Sequence, residues 1–447
     1  MAKFFNADDW TGGTADHDLD AITGYADGDP CIVINGGIMY LHQYDTAETG
    51  AESAPDIVIP DDNATGTGAW VLRKTYLSSD QALGVITTDT TFYVATTGND
   101  TTGDGSSGSP WATLSHAYDY LGDYIWDTSN VSVTIQLGDG EFVETAPIYL
   151  DHICGASLYI TGENTYTKSM TSVQSSSGSI GAWSVIINLD SVANIAVDDE
   201  VLITGAANGT KPTFIAGCHN VTNVDAVNTR ITIASKHYNA TAPSGAVTAT
   251  VEVIKTRIKN ISTNCFEANA SDHKIAGISN LTIEATGYKA IYVKNGGCVV
   301  LGSNFGVVSA TNGLYAEYGG IIIGNSSTIS GIVSYGVVAY YGSLISFTSG
   351  ICSGLSTQYL PCVFAYCNST IIANSAVVTG SYGDGLQVHS GSRIEAYSVV
   401  VTGHPGTGIY AARYGYILAP GYSGSDNGAN VSPTANTQGN EYGYIDT

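Results

Sequence analysis

Hydrolysis of a glycosidic bond needs two carboxyl groups held roughly 5 to 9.5 Å apart, one of them kept protonated by its surroundings. Between residues 290 and 430 the ionisable side chains that could be grouped for this are Glu317, Asp384, His389 and Glu395. The stretch is repetitive, and the repeat gives each of them a place. Glu317 and His389 share a column but sit three units apart, roughly 14 Å if units stack at strand spacing. Glu395 falls on another flank. Register therefore yields no compact acid pair, these groups read as surface charge, and no catalytic residue is assigned.

Aromatic side chains are better placed. Tyr292, Tyr315, Tyr340, Phe364, Tyr366 and Tyr410 occupy the third and fifth positions of successive units, alongside Lys294, Glu317, Val338, Gln387, His389 and Ala412. Stacked at about 4.8 Å, they make a ladder of rings down one flank. Sugars pack their apolar faces on such rings and Tyr adds a hydroxyl, so these six are candidate saccharide contacts. The ninth and eleventh positions form a rival column: Cys298 and Val300, Ile321 and Ile323, Leu344 and Ser346, Thr370 and Ile372, Arg393 and Glu395, Tyr416 and Leu418. A long exposed apolar strip marks an interface, which makes Val300, Ile321, Ile323, Leu344, Ile372 and Leu418 candidates for self-association. Burial of both flanks within an oligomer is the alternative.

The elements that hold these columns follow from the repeat. From Ala290 to Asn430 the chain divides into six units, five of 23 residues and one of 26. The second position (Ile291, Leu314, Val337, Val363, Leu386, Ile409) and the fourth (Val293, Ala316, Ala339, Ala365, Val388, Ala411) are apolar throughout, so they share one face of a strand. A small residue at the eighth position is followed by an aliphatic tenth: Val299, Ile322, Ile345, Ile371, Ile394, Ile417. That is a second strand after a tight bend. Short strands and bends at this period describe a solenoid whose units bury their faces only by stacking. Leucine-rich repeats share the period but need a Leu-rich consensus, whereas these units are Val, Ile and Ala with Gly and Ser bends. The fold class expected is all-β: a right-handed parallel β-helix with a small N-terminal β module and an inserted β-barrel or sandwich.

Composition agrees. The chain has 447 residues, 53 of them Gly, with charged residues at only 12%. Its 15 Lys+Arg against 40 Asp+Glu give a net charge of −25, which argues against nucleic acid and anionic lipid as partners. MAKFFNADDW opens with no basic segment followed by an apolar run, so neither a signal peptide nor membrane insertion is expected. The eight cysteines show no zinc spacing and read as buried free thiols of a chain made in a reducing cytoplasm. The loop Asn99 to Gly105 is acidic but lacks the spacing of a calcium loop. His219 and His237 lack further ligands at suitable spacing. No metal and no cofactor is expected.

In order, residues 1–75 form an N-terminal module of short β runs (Cys31 to Ile34, Ile38 to His42, Ile57 to Ile59, Trp70 to Leu72) between Gly, Asp and Pro turns. Residues 76–90 are a connector. Residues 91–182 carry a helix and the first coils; the helix has Leu114, Ala117, Tyr118, Leu121 and Ile125 on one face and Ser109, Pro110 or Thr113 to start it. It would cover the open end of the solenoid. In 183–259 the coil period is lost, as for an antiparallel β module inserted on one face. Residues 260–432 are coils, and 433–447 a closing segment.

The DGD strand (Asp27 to Asp29), Tyr40, Tyr44, the acidic turn Glu52 to Asp56 and Trp70 resemble the module that precedes the shaft in tailed-phage fibres and tailspikes. Gly98 to Asp100, Pro110 to Leu114 and Gly138 to Phe142 resemble the opening of pectate-lyase-like β-helices in phage spikes, and the last residues, ANVSPTANTQGNEYGYIDT, resemble their closing strand. This resemblance implies a virion protein, synthesised in the host cytoplasm, that attaches to a tail or baseplate protein and meets host cell-surface polysaccharide during adsorption. A homotrimer about an axis parallel to the shaft would bury the aliphatic strip and close the symmetry. A polysaccharide depolymerase, hydrolase or lyase, is the second expectation and a non-binding structural decoration the third.

Overall fold

A computed structural model describes residues 5–7, 30–35, 38–45, 57–58, 69–72, 84–179, 182–207, 215–235, 248–271, 273–353, 359–380, 382–425, 427–432 and 443–447. The chain divides into two compact units, residues 1–89 with 119–131, and residues 90–118 with 132–447. Asp27 to Asp29, Glu52 to Asp56, His237 and most of the closing segment lie outside the described residues.

The first unit holds a five-stranded sheet in the order Phe5–Ala7, Pro30–Asn35, Ile38–Asp45, Ala69–Leu72, Ile57–Val58. Trp70 is fully buried and meets Tyr44 edge-on at 5.5 Å. In the same unit Gly84–Ile86 pairs in parallel with Tyr124–Trp126, so part of the expected connector is strand.

The second unit is a parallel β-helix. Each coil contributes three strands where the aliphatic pattern implied two. The tenth-position strands lie in an eleven-stranded sheet running from Thr90–Val94 to Tyr444–Asp446. Its inward column, Val299, Ile322, Ile345, Ile371, Ile394, Ile417 and Ile445, is in register and fully buried. A sixteen-stranded sheet holds the second- and fourth-position strands together with the third set: part of Phe305–Glu317, then Thr328–Ser330, Ile351–Ser353, Val377–Thr379, Val400–Thr402 and Ser423–Ser425. This third set escapes the aliphatic pattern because Ser and Thr flank its inward column of Val307, Ile329, Cys352, Val378 and Val401.

The bend between the first and second strands is fixed by backbone conformation. Its two residues adopt positive φ in every unit: Asn295–Gly296, Tyr318–Gly319, Tyr341–Gly342, Cys367–Asn368, Ser390–Gly391 and Arg413–Tyr414. Glycine or asparagine accepts this region at least cost. Behind the bend, buried Ser343, Ser369 and Ser392 link coils, with Ser343 N donating to Ser369 Oγ at 3.3 Å and Ser369 N to Ser392 Oγ at 3.1 Å.

Helix α1 (Leu114–Leu121) is shorter than its apolar pattern; it stops before Gly122, and Ile125 lies in a strand. Thr113 starts it, its Oγ1 accepting from His116 N at 3.2 Å, while buried Glu144 accepts from Leu114 N at 2.9 Å. The acidic loop before the helix spends its side chains on backbone: Asn99 accepts from Thr101 N and Asp100 from Ala112 N. Cys154, Cys218, Cys265, Cys298, Cys352, Cys362 and Cys367 are free thiols, with Cys298 and Cys367 only half-buried.

Between Gly162 and Thr256 the chain leaves the coils and forms a closed barrel, in the order Thr165–Ser179, Ala182–Leu189, Arg230–Ser235, Gly217–Asp225, Glu200–Ala207, Thr248–Ile254. It begins before Trp183, because Thr165–Ser179 is polar and carries little period of its own. Alternating residues fill its core, among them Val185, Ile187, Val201, Ile203, Ile231, Ile233, Val251 and Val253. The insertion interrupts the chain but not the sheet, since Leu158–Gly162 pairs directly with Lys274–Ser279. The barrel packs on the third strand set, where Cys218 N donates to buried Ser330 Oγ at 2.8 Å and Leu202, Cys218 and Ile254 meet Val308.

Candidate functional site

The aromatic flank is assembled by register. Parallel pairing places Glu267, Tyr292, Tyr315, Val338, Phe364, Gln387 and Tyr410 in one column, and pairs Lys294 with Glu317 and Tyr340 with Tyr366 in the next. Ring contacts then run without a break along the flank. Tyr292 meets Tyr315 at 5.6 Å, Tyr315 meets Tyr340 at 5.7 Å, and Tyr340 meets Tyr366 at 5.7 Å and Phe364 at 5.8 Å. Phe364 reaches His389 at 5.7 Å, and His389 reaches Tyr410 at 5.6 Å.

The rings are not equally open. Tyr292 and Phe364 are each only 8% exposed, which corrects their reading as open stacking surfaces. Lys289 Nζ sits 3.7 Å over the Tyr292 ring and 4.4 Å over that of Tyr315, while Tyr335 stacks on Phe364 at 5.5 Å. Tyr315, Tyr340, Tyr366 and Tyr410 are half-buried. The open surface belongs to Tyr318, 55% exposed, and Tyr341, 47% exposed, whose rings stack at 4.8 Å and 4°. Both occupy the first residue of the left-handed bend, with φ of 50° and 51°. The bend requires that backbone in every unit, yet a bulky residue there is strained where Asn would be less so. A strained, exposed, parallel pair of rings is what a stacking platform needs. Its signal in the sequence was the pair of Tyr-Gly steps one unit apart.

One end of the flank is polar. Glu317 accepts hydrogen bonds from the phenols of Tyr292 and, at 3.4 Å, Tyr315. Burial first, and then Glu317, raise the pKa of Tyr292, so its phenol stays protonated. Burial also lowers that of Lys289, against the opposing pull of Glu317 and Glu267. Glu267 accepts from Asn264 at 2.8 Å and Asn269 at 3.3 Å. It lies before the first repeating unit and so escaped the repeat, although Phe266-Glu267-Ala268 matches the pattern of Ile291-Tyr292-Val293. Hydroxyls, carboxylates and ammonium groups beside open rings give a surface able to bind sugar hydroxyls and sugar faces together.

The other ionisable candidates stay apart. Asp384 accepts from Thr407 N at 2.6 Å, and burial raises its pKa. Glu395 pairs with Arg393 at 2.9 Å on the eleven-stranded sheet. His389 contacts Gln387 at 3.0 Å. His219 is buried in the barrel, its Nε2 3.0 Å from the Ile215 carbonyl, and burial drops its pKa to about 4, keeping it neutral. On the opposite flank, Val300, Ile321, Leu344, Ile372 and Leu418 are half-buried and Ile323 is 37% exposed.

No family model matches the chain, and no curated protein matches it. Among solved structures it is similar to XylC with xylose, at 11% identity over 75% of this chain and 70% of that one, with a TM-score of 0.30. It is similar to the tailspike protein gp49 from Pseudomonas phage LKA1, at 11% identity over 81% and 73%, with a TM-score of 0.23. It is also similar to the tailspike protein gp49 from Acinetobacter baumannii bacteriophage Fri1, a capsular polysaccharide depolymerase, at 10% identity over 95% and 75%, with a TM-score of 0.19. By its own strand register the chain is a parallel β-helix that carries an inserted closed barrel.

Proposed function

We propose that the chain is a tail fibre or tailspike of a phage virion that adheres to host-surface polysaccharide through its aromatic flank. The observation that carries this reading is the exposed Tyr318–Tyr341 stack, joined to the row of rings through Tyr340 at 5.9 Å, with Glu317 and Lys289 on Tyr315 of the same row. Calorimetry against purified bacterial capsular and O-antigen polysaccharides tests it. Saturable binding to at least one is the expected result, and heat of dilution alone with all of them would overturn adhesion.

Two further parts of the reading rest on sequence. Residues 1–75 attach to the tail or baseplate, so a chain lacking them should remain a folded shaft and fail to enter particles; incorporation of the truncated chain would reverse the orientation. The aliphatic flank joins three copies along the shaft. Ile321→Arg with Leu344→Arg, on neighbouring coils in register, should convert a trimer to a monomer by light scattering. A wild-type chain that scatters as a monomer at micromolar concentration would rule the trimer out.

A further inference from the structure

Charged residues make up 12% of the chain, yet residues 318–383 contain no Asp, Glu, Lys, Arg or His. Acids bound this gap, Glu317 before it and Asp384 after it. Folding lays the gap across neighbouring coils of the aromatic flank. Strands Val337–Tyr340 and Val363–Tyr366 pair in register within it, and ring contacts cross from one coil to the next. Tyr335 stacks on Phe364 at 5.5 Å, Phe364 meets Tyr340 at 5.8 Å, and Tyr340 meets Tyr341 at 5.9 Å.

Two pairs of tyrosines stand at opposite ends of these strands. Tyr318 and Tyr341 follow their strands, in the left-handed bend. Tyr359 and Tyr382 precede theirs, Val363–Tyr366 and Leu386–Val388, and meet with ring centroids 4.2 Å apart and hydroxyl oxygens 2.5 Å apart. Tyr359 is 77% exposed, so the second pair offers ring surface to solvent as the first does. Tyr318 beside Tyr341, and the hydrogen bond between Tyr382 and Tyr359, raise the pKa of Tyr341 and of Tyr359, which keeps both phenols neutral.

The charges around this face do not favour an anion. Tyr315 Oη donates to Glu317 at 3.4 Å, and Lys289 Nζ lies 4.4 Å over the Tyr315 ring, where it offsets Glu317. Arg413 occupies the bend three coils beyond Tyr341, about 14 Å at strand spacing and past the roughly 8 Å over which charges act in physiological salt. A sugar carboxylate or phosphate laid between the tyrosine pairs would lose water and meet no cation from residues 318–383, on a chain whose net charge is −25. A neutral sugar incurs no such loss. Its C–H faces rest on the rings and its hydroxyls reach the phenols.

We propose that the face between Tyr318–Tyr341 and Tyr359–Tyr382 binds an uncharged stretch of polysaccharide, built of neutral or N-acetylated sugars, and selects against uronate, sialate and phosphate groups. The substrate class deepens, and rests on, the saccharide reading of the flank. An uncharged face also suits contact between copies of the chain. The aliphatic strip that fits a second copy, however, lies on the eleven-stranded sheet, whereas this face presents open tyrosines.

Calorimetry on the full chain against the same polysaccharides, in about 50 mM and about 300 mM salt, tests the proposal. The tightest ligand should carry no uronate, sialate or phosphate, and its affinity should change by less than about 2-fold between the two salts. If the tightest ligand is acidic, its carboxyl-reduced form decides: equal or tighter binding keeps the assignment, and weaker binding overturns it. Tyr359→Ala with Tyr382→Ala should weaken binding about tenfold, with melting and mass unchanged. Tyr397→Ala, which removes a tyrosine 43% exposed between the second and third strands of its coil, should bind as wild type. Unchanged affinity in the Tyr359/Tyr382 variant, or a change in its mass by light scattering, overturns the second contact, the latter by giving the face to a neighbouring copy. Failure of every polysaccharide to bind removes adhesion itself, whereas binding that is lost on carboxyl reduction removes this inference alone.

Discussion

Ile371→Asp should abolish the folded shaft. Ile371 is fully buried between Ile345 and Ile394 in a column that runs the length of the eleven-stranded sheet. Loss of the side chain alone costs about 2 to 5 kcal/mol. A carboxylate left in that apolar stack adds several more, because no counter-charge lies within the column. The sum is comparable with the roughly 5–15 kcal/mol that holds a typical domain together. A solenoid transmits the damage, since each coil is stabilised only by its neighbours. Circular dichroism should show the β signal lost, or the chain recovered only as aggregate. Ile371→Val, which removes one methylene, should cost about 1 kcal/mol and keep the fold. An aspartate variant that melts like wild type would mean that this column is not the core.

Tyr318→Ala combined with Tyr341→Ala should weaken polysaccharide binding about 100-fold. Exposed aromatic anchors contribute about 1.5 kcal/mol each when they are central contacts, and these two form one stack at 4.8 Å. The fold should be spared, because both rings project from a bend whose conformation the neighbouring units reach with Asn295, Cys367 and Ser390. Calorimetry and melting curves on the same variant separate the effects. Unchanged affinity would shift the saccharide contact to the half-buried rings Tyr340, Tyr366 and Tyr410.

A repeating apolar pattern is a local property, and it was legible without coordinates. Six units with aliphatic second, fourth and tenth positions required stacked strands, because no other arrangement buries those columns together. The outward columns followed from alternation within each strand, so the aromatic and aliphatic flanks were visible as residue sets. How far each ring is open was not visible. Tyr292 and Phe364 alternate outward like their neighbours, yet Lys289 and Tyr335 lie over them, and such covering depends on packing between coils. The third strand set was hidden for a related reason. Ser330 and Ser353 are polar and so break the aliphatic pattern, but they are buried beneath a barrel that arrives from elsewhere in the chain.

The sequence by itself determined the stacked coils and the loss of coil period within residues 183–259, because each depends on spacing along the chain. Only the tertiary structure decided that Glu200 and Glu284 would converge on Arg257. Glu200 belongs to an antiparallel barrel and Glu284 to a parallel coil, and no period relates them. Their approach is set by where the barrel packs on the shaft, through Leu202, Cys218 and Ile254 against Val308, a contact between surfaces that local patterning does not encode.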